Sequence, residues 1–233
     1  MRISILLTVV TVLTGSLIAT TPTFAAQQSS VQRSTVQEQA CRFTPVADSA
    51  MVLKHGQTVG VLYSDNTVST LAYLERYHAT ASNAAKNSKL DARIRDAFIS
   101  SSDPKLAIDW LQSSLQKEFS SVTVYDNLDA LMKARPDVVV MLDTYNRLVT
   151  QRNTQVQARF IATFYDANLQ YIGKAEGLGA QELSSIWVHD KAAPEIAAQI
   201  NQQRDLQINA LKQFDASLKV LIGAGQKGEV ASN

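Results

Sequence analysis

Residues 137–142 read DVVVML, five consecutive apolar side chains behind a single acid. A strand that is open to water on one face alternates apolar and polar residues, whereas a strand covered on both faces is apolar throughout. The stretch therefore predicts a central strand with both faces covered. Residues 58–63 (TVGVLY) and 122–125 (VTVY) read as two further short strands, the first ending at a cluster of turn residues, 64–66 (SDN).

Residues 155–166 (QVQARFIATFYD) show the opposite pattern, because apolar residues recur at every second position. This alternation predicts a strand with one buried face, formed by Val156, Ala158, Phe160, Ala162 and Phe164. Residues 166–168 (DAN) form a turn into another strand over 169–178. Its glycines, with Gly179 just beyond, suit a bent or bulged strand near a sheet edge.

Helices are predicted between these strands. Residues 71–98 are helical in pattern with a break within 79–88, and Asp103 caps a helix that begins at Pro104 and ends near Phe119. Asn127 caps a short helix over 128–134, and residues 194–222 form a long final helix. The order predicts an α/β (α+β) fold with a single mixed sheet, an antiparallel C-terminal meander, flanking helices and a long C-terminal helix.

The N-terminus has the pattern of an export signal. Arg2 precedes an apolar run over 3–12, and small residues near Ala25 and Ala26 offer a cleavage site. We therefore expect residues 1–26 to be a signal peptide, 27–50 a flexible N-terminal arm, 51–222 a single α/β domain and 223–233 a disordered tail. The mature protein is expected in the periplasm or outside the cell, with no stable membrane span.

The charge balance and the cysteine content argue against a nucleic-acid-binding protein and against a disulfide-stabilised fold. Lys and Arg number 22 against 21 Asp and Glu, so no basic surface of the kind that nucleic acid needs is indicated. Cys41 is the only cysteine, which rules out an intramolecular disulfide framework. An unpaired thiol and an intermolecular disulfide remain the two alternatives for this residue.

The sequence shows no motif that would identify an enzymatic reaction. Residues 223–228 spell GAGQKG, but they follow a helix, whereas a dinucleotide site needs its glycines between a strand and a helix. His55, His78 and His189 lack the spacing of metal ligands. We therefore expect no catalytic residue, no metal and no cofactor, and an enzyme is the less favoured class.

Two groups of residues offer the candidates for function. Asp65, Asp126 and Asp143 follow or end predicted strands, where open α/β sheets place binding groups, although turns and helix caps also favour such acids. The second group combines an aromatic ring with guanidinium groups around one strand connection, as protein interfaces often do, and a tryptophan further on completes the candidate partner-binding set. Its members are Tyr145, Arg147, Arg152 and Trp187, with Arg159 nearby.

The succession TVGVLY, VTVYDN, DVVVMLDTYNRLV, TQVQARFIATFYDAN and LQYIGKAEGLG over residues 51–222 resembles the small periplasmic α/β domains of bacterial envelope accessory proteins. The penicillin-binding-protein activators and the curli-secretion lipoproteins are of this type. The resemblance implies a non-catalytic accessory role in the envelope. This chain departs from the pattern because it lacks a lipobox cysteine.

Three hypotheses follow. The first is a non-catalytic periplasmic or secreted accessory protein that binds a cell-envelope protein through its sheet edge or strand-end loops. The second is a periplasmic enzyme or small-ligand receptor that uses Asp65, Asp126 and Asp143, for which these acids have to line one pocket. The third is self-association through the long C-terminal helix.

Overall fold

The computed structural model describes residues 51–86, 90–150, 152–184 and 191–230. The chain separates into two compact units, 1–42 and 43–233, and all the described residues belong to the second. The elements, in chain order, are β1 (Thr58–Tyr63), α1 (Asp65–Lys86), α2 (Ala92–Ser101), α3 (Lys105–Glu118), β2 (Ser121–Val124), α4 (Leu128–Ala134), β3 (Val138–Arg147), β4 (Gln155–Asp166), β5 (Tyr171–Glu182) and α5 (Ala193–Val230).

The five strands form one mixed sheet in the order β2-β1-β3-β4-β5. β1 pairs in parallel with both β2 and β3, whereas β3, β4 and β5 form an antiparallel meander. The predicted fold class, with its single mixed sheet and long C-terminal helix, is confirmed. No helix among the described residues is long and apolar enough to cross a bilayer.

The alternating pattern of β4 decides which side of the sheet carries the core. Its even-numbered apolar residues from Val156 to Phe164 are each at most 1% exposed, as the sequence predicts. Those from Ala158 to Phe164 share one core cluster with residues of α5 and α3, namely Leu211, Phe214, Leu218, Leu111 and Leu115. Val156 belongs to a second cluster, with Ala197 and Ile200 of α5. The main core therefore lies on one side of the sheet, between the strands and these two helices.

β3 extends beyond its neighbour β1, and side chains of α1 bond the edge of β3 where β1 ends. The pairing of β1 with β3 stops at Tyr63 opposite Leu142, although β3 continues to Arg147. The Thr67 hydroxyl then donates to the Leu142 carbonyl (2.8 Å) and accepts from the Thr144 amide (2.9 Å), and the Thr70 hydroxyl donates to the Thr144 carbonyl (3.0 Å). Side chains of a helix thus replace the missing strand.

The same edge is continued by two tyrosines further along α1. The Tyr73 hydroxyl accepts from the Leu148 amide (3.4 Å), and the Tyr77 hydroxyl donates to the Val149 carbonyl (3.0 Å). Burial raises the pKa of Tyr77 well above its ordinary value, so this hydroxyl stays protonated and remains a donor. Positions 67, 70, 73 and 77 are three or four residues apart, which places them on one face of the helix.

α5 runs alongside β5 at very short range, because the glycines of β5 place no side chains between the strand and the helix. A side-chain carbon at Gly179, Gly177 or Gly173 would meet Leu206, Ala210 or Leu221, respectively. The helix spans about 22 Å between the first and last of these contacts and the strand about 20 Å, so helix and strand run side by side in opposite directions. The glycines, predicted to suit a bent or bulged strand near a sheet edge, also admit the helix.

The outer edge of the sheet at β5 is also occupied by helix side chains. The Glu176 amide donates to the Ser217 hydroxyl (3.1 Å), and the Leu178 amide donates to the Gln213 side-chain carbonyl (3.4 Å). β5 is the edge strand, as predicted, but these outward amides already have acceptors on α5. The predicted irregularity lies in its pairing with β4, as a register shift between Phe164 and Tyr165.

Two expectations from the sequence are wrong. Four of the five apolar positions in 138–142 are buried, but Met141 is 37% exposed, because the seven-residue α4 is only about 10 Å long and covers β1 and the start of β3. The final helix does not end at Ile222 but continues to Val230. Gly costs only about 1 kcal/mol relative to Ala inside a helix, and no proline interrupts this stretch.

Several expectations fall outside the described residues. These are the signal peptide at 1–26, the arm at 27–50 with Cys41, and Trp187 and His189 between β5 and α5. They stay predictions.

Replacing Thr67 by Val tests the substitution of a helix for a strand. The valine keeps the shape but leaves the buried Thr144 amide without its acceptor, whereas the Leu142 carbonyl still accepts from the Ser64 amide (2.9 Å). We therefore expect a cost of about 1 to 3 kcal/mol in the free energy of unfolding. Urea denaturation measures this value. Thr80→Val on the exposed side of α1, where the hydroxyl only bonds Arg76, is the control, with an expected change below about 0.5 kcal/mol. Equal effects of the two substitutions would contradict the assignment.

Gly177→Ala tests the close approach of α5. The added methyl group meets the backbone carbonyl of Ala210, which cannot rotate away, so we expect a loss of about 3 kcal/mol and a lower Tm. Gly56→Ala is the matched control because no atom lies within 4 Å of the added carbon. A Gly177→Ala variant as stable as the Gly56→Ala variant would show that the helix does not approach this closely.

Candidate functional site

One side of the antiparallel half of the sheet is not covered by any described helix. Among the described helices, α5 alone contacts β4 and β5, and it packs on the core side, while α1 follows the edge of β3 and α4 contacts β1. We call the uncovered side the open face. It consists of Met141, Asp143, Tyr145 and Arg147 of β3, Gln157, Arg159, Ile161 and Thr163 of β4, and Lys174, Glu176, Leu178 and Ala180 of β5.

Large apolar side chains on the open face are in contact with solvent. Met141 and Tyr145 are each 37% exposed, and Leu178 is 48% exposed. Ile161 lies between them and is partly buried. Apolar surface of this kind, gathered on one face and surrounded by polar residues, is typical of an interaction site.

Arg159 lies at the centre of this face. In the register of the sheet it stands opposite Tyr145 on one side and Leu178 on the other. Its guanidinium carbon is 5.9 Å from the centre of the Tyr145 ring, within the range of a cation–π interaction. The three side chains therefore form a row across the strands, with a cation between an aromatic and an aliphatic group.

An ion pair holds this arginine in position, and two further hydrogen bonds anchor the carboxylate of that pair to the start of α1. Arg159 Nη2 is 2.9 Å from Asp143 Oδ2, and the Ser64 hydroxyl donates to Asp143 Oδ1 (2.7 Å). Ser64 also accepts from the Thr67 amide (3.1 Å), so it caps α1. The open face is thus connected through one carboxylate to the start of the helix that completes β3.

Two shallow grooves meet at Tyr145. The first, of about 490 Å³, lies over Arg159, Gln157 and Leu178. The second, of about 430 Å³, lies between β3 and α1, where Arg147 and Tyr73 contribute. Asn66 and Tyr145 line both, so the grooves form one path from β5 across β3 to α1.

The candidate acids do not form one site. Asp143 is held by Arg159 and Ser64, Asp65 is exposed in the first turn of α1, and Asp126 is exposed after β2. None of the three lines either groove. No group of three or more His, Cys, Asp or Glu residues suited to a metal ion occurs within the described part of the chain.

The two histidines in the described segments serve local contacts. His55 Nδ1 lies 2.8 Å from the Glu118 carbonyl, and His78 Nδ1 lies 3.3 Å from the hydroxyl of the buried Ser102. The two are in different parts of the fold.

The residues predicted as a partner-binding set separate into three groups. Tyr145 and Arg147 lie on the open face and line the grooves, and Arg159 joins them. Arg152 is exposed in the β3–β4 connection, and Trp187 lies outside the described residues. Sequence reasoning missed Leu178 and Asn66. The register of β5 against β4 was the missing signal for Leu178, since alternation alone does not say which face of a glycine-rich strand is covered.

The arrangement is suited to recognition of another molecule. It combines an aromatic ring, aliphatic side chains, one guanidinium fixed by an ion pair and a second, exposed guanidinium on Arg147. The grooves are open and shallow, and they lie on regular strands whose backbone positions are fixed by pairing.

Comparison with known proteins gives limited information. No family model matches the chain, and no curated protein matches it. A variant of the PelC dodecamer from Paraburkholderia phytofirmans is similar at a TM-score of 0.30 and 12% identity, covering 70% of this chain and 95% of that one. A second PelC dodecamer structure from the same organism gives 0.28 and 13%, with 70% and 92% covered.

A protein from Caulobacter crescentus that is assigned as a lipoprotein gives a TM-score of 0.29 and 15% identity, with 52% of this chain and 83% of that one covered. Scores this low do not establish a shared fold. The likeness therefore says nothing about what this chain binds.

Asp143→Asn tests whether this acid is a structural anchor. The substitution removes the charge that holds Arg159, and we expect a loss of about 1 kcal/mol in the free energy of unfolding, since both side chains of the pair are partly exposed. Asp126→Asn is the control, with an expected change near zero because Asp126 is exposed in a loop. Chemical denaturation measures both values, and a neutral Asp143→Asn variant would contradict the anchoring role.

Proposed function

We propose that this protein is a non-catalytic accessory protein of the cell envelope that binds a protein partner through the open face. The observation that supports the proposal is the row of Tyr145, Arg159 and Leu178 on an uncovered sheet face, flanked by two open grooves. The envelope location rests on the export pattern of residues 1–26.

The residue types on this face favour a protein as the partner. Tyrosine and arginine are enriched among the residues that dominate the binding energy of protein interfaces. Tyr145 and Arg159 lie together near the centre of the face, and polar residues such as Gln157 and Lys174 surround them. A small-molecule site usually encloses most of its ligand, whereas these grooves are shallow and open to solvent.

The location of the face also favours this function. Strands β3, β4 and β5 are fixed by pairing on both sides or by helix side chains at their edges, so the exposed side chains stand on a rigid surface. A rigid surface loses little conformational entropy when a partner docks. Recognition here needs no rearrangement of the backbone.

Site-specific photocrosslinking in the cells that produce the protein tests the proposal. A photoreactive residue at position 178 is expected to give a discrete adduct with another protein, whereas the same residue at position 220 is not. Val220 is the control because it is 71% exposed and lies on α5. Tyr145→Ser, introduced together with the position 178 probe, is expected to reduce the adduct at least tenfold.

Two results would contradict the proposal. Adducts that form equally from positions 178 and 220, or that survive Tyr145→Ser, would show that the open face is not the docking surface. An adduct with the mass of two copies of this chain would identify self-association in place of a separate envelope partner.

A further inference from the structure

We infer that the partner presents an extended acidic peptide segment, which lies across the strands along the two grooves and places carboxylates beside Arg147 and Arg159. This inference rests on the proposed function and specifies the chemistry of the partner. It follows from three properties of the open face: its closed edges, the charge of the groove linings and the length of the path.

The occupied edge positions beside the grooves disfavour, at the open face, the most common way in which a sheet binds a peptide. A peptide that adds as a further strand needs unpaired backbone groups at a sheet edge. Beside the grooves, Thr67, Thr70 and Tyr73 of α1 occupy the edge of β3, while Gln213 and Ser217 of α5 occupy that of β5. A segment bound here is therefore recognised from above, through side chains.

The charge of the residues that line the grooves indicates that the bound segment is negatively charged. Among the described residues that line the two grooves, the charged ones are Arg147 and Arg159, and no acid is included. Acids elsewhere on the face are engaged, because Asp143 pairs with Arg159 and Glu176 pairs with Lys174 at 2.7 Å. Glu182 lies further out, opposite Gln155. The Asp143 charge offsets part of that of Arg159, whose side chain is still 42% exposed, so the grooves offer mainly the exposed guanidinium of Arg147 to a ligand. Arginine suits carboxylates because its donors match their geometry.

The length of the path indicates how much peptide is involved. Neighbouring strands are about 4.8 Å apart, so the first groove spans about 10 Å from β5 to β3, and an extended residue covers about 3.3 Å. Three residues cross this groove, and a similar number crosses the second groove from Tyr145 to α1. A segment of about six residues, with an apolar side chain near Leu178 and acids on either side of Tyr145, fills the path.

The N-terminal segment of this chain does not have the required charge. Residues 27–50 contain two arginines and two acids, so their net charge is zero. The complementary segment is therefore assigned to a different protein.

Selection from a random hexapeptide library displayed on phage tests the inference with the purified protein as the target. We expect the enriched sequences to contain Asp and Glu at least twice as often as the input library. Binding of an enriched peptide, measured by fluorescence anisotropy, is expected to weaken about tenfold for Arg147→Gln and to weaken further as the salt concentration rises. Arg204→Gln, at an exposed position on α5, is the matched control and is expected to bind normally.

Three results would overturn the inference: no enrichment, enriched sequences without an excess of acids, or a peptide whose binding is indifferent to Arg147→Gln. Each of them is separable from failure of the proposed function. If the photocrosslink from position 178 still forms and still depends on Tyr145, the face docks a protein, but not by capturing an acidic extended segment. If that crosslink is also absent, the proposed function itself fails.

Discussion

Beyond Leu142, the backbone groups of β3 that point away from β4 have no strand beside them, and the rest of the structure depends on how α1 satisfies these groups. An unpaired amide or carbonyl in the protein interior costs about 1 to 3 kcal/mol, and several such groups would unfold a domain of ordinary stability. The hydroxyls of Thr67, Thr70, Tyr73 and Tyr77 meet this requirement. They let β3 extend further than β1, and this extension carries Tyr145 and Arg147.

The two long helices have complementary effects on the antiparallel half of the sheet. α1 occupies one edge with hydroxyl groups, while α5 occupies the other edge and also covers one face. Within the described part of the chain, the opposite face is left without a helix. Arg159 links the open face to α1, because Asp143, which pairs with Arg159, accepts a hydrogen bond from Ser64, and Ser64 caps α1.

Much of this fold could be predicted from the sequence because its patterns are local. The alternation in β4 and the caps at Asp103 and Asn127 gave boundaries within one residue of those observed. The exposure of Met141 could not be predicted, since it depends on the length of α4 and on where that helix lies. Nor could the use of glycines in β5, which reflects contact with a helix about 30 residues further on.

The candidate site was predicted in part for the same reason. Tyr145 and Arg147 lie at the end of one strand, and their types alone suggested an interface. Leu178 and Asn66 belong to elements that reach the site only through sheet register and the path of α1. The separation of the candidate acids also depends on the three-dimensional structure, because Asp143 bonds Arg159 of β4 and Ser64, which precedes α1.

The glycine row of β5 has a consequence for the order of events during biosynthesis. The helix that covers Phe160 and Phe164 follows the strands in the chain, and the strand it covers supplies almost no side chains of its own to the interface. The core face of the meander therefore stays uncovered until α5 has been synthesised, so the domain cannot become compact while only its five strands and the helices between them have emerged. A chain that becomes compact this late stays unfolded for longer during synthesis, which suits the export that we propose from the pattern of residues 1–26.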